Sequence, residues 1–320
     1  MKKFTLICLT AACAPSLLAC DLCAVYSAAE SRGELGRGVF AGVAEQFTHF
    51  GTWQVDGVEV DNTPDERLDS SITQLFLGYN FTERFGVQVN VPLIYRSFRR
   101  LVDHDIVNDH ESGLGDISLV AHLQILRQES PNSTLAWNLL GGVKLPTGDT
   151  SRLLEEVAEH EGQADPDQHE HPSGIHGHDL ALGSGSVDGI IGTSVYARWQ
   201  RFFFTAATQY SFRSEGDYDY EYANDLVWSG GPGWIAILKD HFTLSLQANC
   251  TGEHKCRDTF LGQEAEDTGI TSVFIGPELI ATWGSHLSAE FGVDVPVSIH
   301  ATALQIVPDW RLRGALTWHF

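Results

Sequence analysis

Trp310, Leu312, Gly314, Leu316, Trp318 and Phe320 alternate at the C-terminal end of the chain with Asp309, Arg311, Arg313, Ala315, Thr317 and His319. Successive side chains of an extended chain point to opposite faces, so this segment carries one apolar face and one polar, charged face. Alternation over about ten residues is the pattern of a strand that crosses a bilayer at a tilt. Strands of soluble sandwiches alternate too, but usually run to only about 5–6 residues. The longer pattern recurs at 85–96, 115–126, 201–213 and 287–299.

About twelve such strands fit the chain, near 39–53, 70–81, 85–101, 115–127, 133–145, 185–199, 201–214, 223–238, 242–250, 269–283, 287–299 and 305–320. Short turns separate some of them, at Thr82-Glu83-Arg84, 128–132, Gln200, Lys239-Asp240-His241 and Gly284-Ser285-His286. Longer connections at 54–69, 102–114, 146–184, 215–222 and 251–268 alternate with these turns, and 300–304 is short. Outer-membrane barrels have an even strand count, short periplasmic turns, longer external loops and both termini in the periplasm. One assignment meets all of these conditions. The predicted fold is therefore all-β: a transmembrane antiparallel up-and-down β-barrel over 39–320 in a bacterial outer membrane, with long external loops and periplasmic N- and C-termini. Tyr79, Phe81, Tyr95, Trp199, Phe202, Trp234, Phe242, Trp283, Trp318 and Phe320 cluster toward strand ends, and several of them flank the short turns, as an interfacial girdle does. The terminal aromatic Phe320 reads as an outer-membrane sorting signal, which makes the barrel-assembly machinery and outer-membrane lipid the expected partners.

The N-terminus follows different rules. Lys2 and Lys3 precede an apolar run, Phe4 to Ala14, and a small-residue exit ending at Ala19, so 1–19 reads as a secretory signal. Residues 20–38 then form a periplasmic N-terminal segment, and the Ala-rich run Ala24 to Glu34 suits a plug. The net charge of -22 excludes nucleic acid and anionic lipid headgroups as partners held by charge. The acid gathers where strand periodicity is missing: between Pro146 and Ser184 nine Asp or Glu face the single Arg152.

That acidic loop is bracketed by two short motifs, Lys144-Leu145-Pro146-Thr147-Gly148 and Gly183-Ser184-Gly185-Ser186-Val187-Asp188. The pair resembles a family of proteobacterial outer-membrane proteins described as transporters, or as components of the meta-cleavage pathway of phenol degradation. The resemblance implies a monomeric barrel that moves small molecules, hydrophobic ones among them. It does not name the solute, because one fold hosts many functions.

Three groups of residues carry candidate chemistry. His160, His169, His171, His176 and His178 lie among carboxylates in the 146–184 loop, and neutral imidazole with carboxylate suits Zn, Cu or Ni. A solvated acidic loop is the plainer reading of the same residues. Cys250 and Cys256 bracket a five-residue stretch at a strand end and are expected to form a local disulfide, which export permits. Cys20 and Cys23 allow either lipidation of Cys20, through a lipobox-like Leu17-Leu18-Ala19, or a disulfide, metal or redox pair. Finally, alternation turns Arg96, His122, Lys144, Asp188, Arg198, Arg213, Glu278, Glu290, Asp294, Arg311 and Arg313 toward the lumen. There they either pair and shut the barrel or line a polar path. No nucleophile motif such as G-x-S-x-G is present, so no enzymatic activity is expected. Two functions fit: a channel or diffusion transporter for small solutes, or a closed barrel whose surface loop captures divalent metal ions.

Overall fold

A computed structural model describes residues 37–102, 105–162 and 173–320. Its twelve long strands are β1 (Gly38–Val55), β2 (Arg67–Asn80), β3 (Phe85–Val102), β4 (Ser118–Ser130), β5 (Ser133–Lys144), β6 (Asp188–Trp199), β7 (Phe202–Phe212), β8 (Asp225–Lys239), β9 (Phe242–Lys255), β10 (Ile270–Trp283), β11 (Leu287–Ala301) and β12 (Leu304–His319). Each pairs antiparallel with the next, and β12 returns to β1 from Phe40↔His319 to Val55↔Leu304. The barrel is closed, so no edge strand is left unpaired.

Burial is inverted relative to a soluble protein. Leu77, Ile191 and Phe291 are more than half exposed on the outer wall, while Gln88, Asn90, His122 and Gln124 are at most 2% exposed inside. An apolar belt of this extent is unfavourable in water and favourable in lipid. Around the short turns the rings of Tyr79, Phe81 and Phe85 touch, as do Phe242 with Trp283 and Trp318 with Phe320.

The structure departs from expectation at the opposite, long-loop end. Asp105–Leu114, expected as loop, is a strand that pairs with β3 and extends that hairpin beyond the wall. A three-residue strand, Val58–Val60, folds back on β1. Tyr220–Glu221, Thr259–Phe260 and Gln263–Glu264 form a small separate sheet. β6 begins at Asp188 rather than 185.

The expected Cys250–Cys256 disulfide is corrected. Neither thiol is in a disulfide. β9 runs unbroken through Cys250 to Lys255, where a loop was expected from residue 251. Six residues of strand span roughly 20 Å at about 3.3 Å each, whereas a disulfide needs Cα atoms within about 7 Å. Cys20 and Cys23 lie outside the described residues.

Candidate functional site

The two loop motifs meet at the top of adjacent strands. Lys144 ends β5 directly opposite Asp188, the first residue of β6. The Lys144 ammonium lies 2.8 Å from Asp116 and 2.9 Å from Asp188, and Arg213 bridges Asp188 at 2.7 Å to Asp225 at 2.8 Å. All five side chains are nearly buried, so each charge depends on its partner. Asp116 also accepts from the backbone N–H groups of Thr147, Gly148 and Ser184. Burial pushes the Asp116 carboxyl up, but the Lys144 charge and these hydrogen bonds outweigh it and hold it below the usual carboxylate range. Gly148 and Gly183 are required by close approach, since a Cβ on either would sit within 2.7 Å of the other's backbone. The motif is thus a clasp that draws both ends of the long loop together.

With its ends clasped, the loop turns inward. The stretch 146–184 was expected to lie outside the barrel, yet Ile175, Leu180, Ala181 and Leu182 are at most 4% exposed. Ile175 and Leu180 pack on Trp53, Leu68, Phe98 and Ile306, and Leu182 packs on Ile72 and Ile94. These side chains belong to the inner wall, so segment 173–184 is a plug across the long-loop mouth. It is also tied by polar groups. Arg96 donates to the carbonyls of Asp179 and Ala181, and Arg100 donates to Ile175 and pairs with Glu155 at 2.6 Å. Glu66, 1% exposed, accepts from Trp53 Nε1 at 3.1 Å, Leu101 N at 2.6 Å, Ser173 Oγ at 2.8 Å and Gly174 N at 2.8 Å.

Two of the candidate metal ligands lie in this plug. His176 caps the short helix Gly177–Leu180 and His178 lies in its first turn, with stacked rings 5.5 Å apart. His178 Nδ1 is 2.9 Å from Glu156 Oε1, in the helix Leu154–Gly162. Burial disfavours the His178 imidazolium, but the charges of Asp179 and Glu156 outweigh it and raise its pKa well above the usual value. The same pair, against burial, holds Glu156 at about 2. His169 and His171 lie outside the described residues, as does the side chain of His160.

Below the plug, several of the charged residues expected in the lumen pair with one another. Arg313 binds Asp294 at 2.5 and 3.2 Å and lies 3.5 Å from Glu278. Arg311 meets both oxygens of Glu253 at 3.1 Å and lies over the Phe274 ring at 4.2 Å. Glu290 lines the same space, a cavity of about 210 Å³ at mid-barrel, with Gln74, Gln209 and Ser229. His122 binds Asn80 at 3.0 Å in a polar layer nearer the short turns, and Arg198 donates to Thr134 at that end. Arg96, Lys144, Asp188 and Arg213 serve the plug and clasp instead.

Residues 61–166 match the family described as "Putative MetA-pathway of phenol degradation". The resemblance read from the loop motifs is borne out. The matched stretch includes the first motif together with Glu66, Arg96, Arg100 and Asp116, the residues that receive the plug and clasp. No curated protein matches the chain. Among solved structures, an outer-membrane channel from Pseudomonas putida F1 superposes with a TM-score of 0.63, covering 93% of this chain and 100% of that one at 14% identity. The translocator domain of the autotransporter NalP from Neisseria meningitidis has a TM-score of 0.39 at 13% identity, covering 89% of this chain and 90% of its own. The CymD monoaromatic hydrocarbon channel has the same TM-score at 7% identity, with 89% of each chain covered. The chain shares its fold with the Pseudomonas outer-membrane channel, and its apolar outer wall is that of a barrel set in a membrane.

Sequence reasoning missed Glu66, Arg100, Asp116 and Glu156. Each lies in or beside an acidic, apparently solvated stretch, and the signal that singles it out is burial. Asp116 alone had a local cue, standing between Gly115 and the start of an alternating strand.

Proposed function

We propose that the chain is an outer-membrane channel through which small solutes diffuse, with segment 173–184 as the gate of its external mouth. Both termini are periplasmic in this reading, and the barrel is inserted by the assembly machinery and works as a monomer. One observation carries it: a polar, ion-paired lumen holds a cavity of about 210 Å³ beneath a segment that is not part of the wall. Arginine and carboxylate groups in the lumen suit polar solutes, and their excess of acid raises the local concentration of cations. The family description supports phenol-like solutes, and cavity size is compatible, since about 150 Å³ suffices for benzene.

Planar-bilayer recordings test this. The full chain should conduct weakly or intermittently, and replacing 173–182 by a short Gly-Ser linker should raise the conductance and abolish the closures. A barrel that stays silent in both forms, while folded by heat-modifiable migration, overturns the reading. The second reading, a closed barrel with a metal-binding loop, is favoured by the grouping of His176, His178 and Asp179. The two are compatible if the metal site serves the gate.

A further inference from the structure

We propose that His176, His178 and Asp179 form a binding site for one divalent transition-metal ion, with Zn²⁺ as the fitting ion, and that the ion fastens the plug to its surroundings. One donor atom from each residue lies within 4.8 Å of the other two. Ligands of a single Zn²⁺ sit about 2.0–2.2 Å from the metal and so roughly 3.4 Å from one another. The group must contract by up to about 1.4 Å, which rotation of the His176 and Asp179 side chains supplies.

The surroundings are those of a metal site rather than a chance cluster. Glu156 accepts from both Nδ1 and the backbone N–H of His178, at 2.9 and 2.8 Å. This fixes the ring so that Nε2 faces Asp179 Oδ1, 3.5 Å away. Asp267 stands 3.1 Å from Nδ1 of His176 but without hydrogen-bond geometry, so this buried ring nitrogen has no hydrogen-bond partner. His178 thus has its own outer carboxylate, the arrangement that orients a metal-bound imidazole and raises its basicity. A second cavity of about 70 Å³ is lined by His178 and Asp179 together with Arg96, Glu253 and Lys255, room for a water to complete four-coordination. The side chains of His176 and Asp267 are partly exposed, which gives the ion a way in.

Two imidazoles and a carboxylate select Zn²⁺, Cu²⁺ or Ni²⁺ over Ca²⁺ and Mg²⁺, which prefer all-oxygen shells. The ion takes the place of any proton on Nε2 of His178, which is released to solvent, while Nδ1–H keeps donating to Glu156. Structurally, the ion would join three segments: the plug, the helix Leu154–Gly162 through Glu156, and the β9–β10 connection through Asp267. The binding claim stands apart from the channel reading; only its consequence for gating rests on it.

The test is titration of the full mature chain, folded in detergent, with Zn²⁺ by calorimetry and with Co²⁺ by visible absorption. The expected result is one ion per chain with a tetrahedral Co²⁺ spectrum. His178→Ala should weaken Zn²⁺ binding at least 100-fold, and Glu156→Gln by 10- to 100-fold. Should His178→Ala fail the heat-modifiability check, His176→Gln carries the same expectation. Undiminished affinity in these variants overturns the proposal, as does loss of binding in a His160/His169/His171 triple-alanine variant but not in His178→Ala. These outcomes read binding directly, so a silent channel would leave the site standing.

Discussion

Glu66 is the residue whose removal should free the plug. Its carboxylate is buried among four neutral donors, and two of them, Ser173 Oγ and Gly174 N, belong to the plug while Trp53 Nε1 and Leu101 N belong to the wall. A hydrogen bond to a charged group contributes about 1.5–3 kcal/mol net, so Glu66→Ala removes about 3–6 kcal/mol of docking. At 1.4 kcal/mol per factor of ten, the docked-to-undocked ratio falls by roughly two to four powers of ten. Hydrogen exchange read by mass spectrometry measures this ratio for 173–184 even if the plug stays mostly docked, because exchange follows local opening. Protection of those amides should fall by that factor, while the amides of β4 to β7 keep theirs. Glu66→Gln retains one acceptor oxygen and should lie between the variant and the wild type. Unchanged protection of 173–184 in a folded Glu66→Ala barrel would refute the idea that these bonds hold the plug, and would shift the weight to Ile175, Leu180 and Arg96.

Four further outcomes follow from the same geometry. Lys144→Met leaves Asp116 buried without its cation, and losing one partner of a buried pair costs about 3–5 kcal/mol; the clasp should open, read as tryptic cleavage near Arg152. Asp116 has a folded pKa below its ordinary 3.8, so it stabilises the clasp above that value and loses this only as pH falls through the lowered one. Amide protection at 147–148 and 184 should therefore stay level from neutral pH down to about 4; a loss beginning near pH 6 would contradict the assignment. Arg313→Gln leaves Asp294 and Glu278 without their shared cation and should increase cation preference, seen as a larger reversal potential in a salt gradient. Alkylation without reductant should modify both Cys250 and Cys256 in the denatured chain, since they are not joined; a mass that requires prior reduction would restore the disulfide.

The barrel was legible in the sequence because its cause is local. A strand between lipid and lumen must alternate, and Leu312, Leu316 and Trp318 against Arg311 and Arg313 record that requirement residue by residue. Closure follows once every strand has such a pair of faces, because no unpaired edge is tolerated in lipid. The inward placement of Asp188, Glu278 and Asp294 comes from the same period of two. Their pairing does not, because partners such as Arg311 and Glu253 are brought together only by curvature of the wall.

The plug was not legible for a related reason. Residues 146–184 carry no regular period, and their acidity reads as solvation whether they point into water or into a mouth lined by Arg96 and Arg100. The Lys144 and Asp188 motifs marked the place but not the purpose, which rests on Asp116, just before β4, meeting Lys144 at the end of the paired strand β5. The cysteines show the opposite error, where nearness in sequence suggested a bond that an unbroken strand holds apart. Alternation and turn length determine a barrel and its membrane from the sequence alone. The tertiary structure decides which loop enters the barrel, because only there do buried charges find the partners that make their burial favourable.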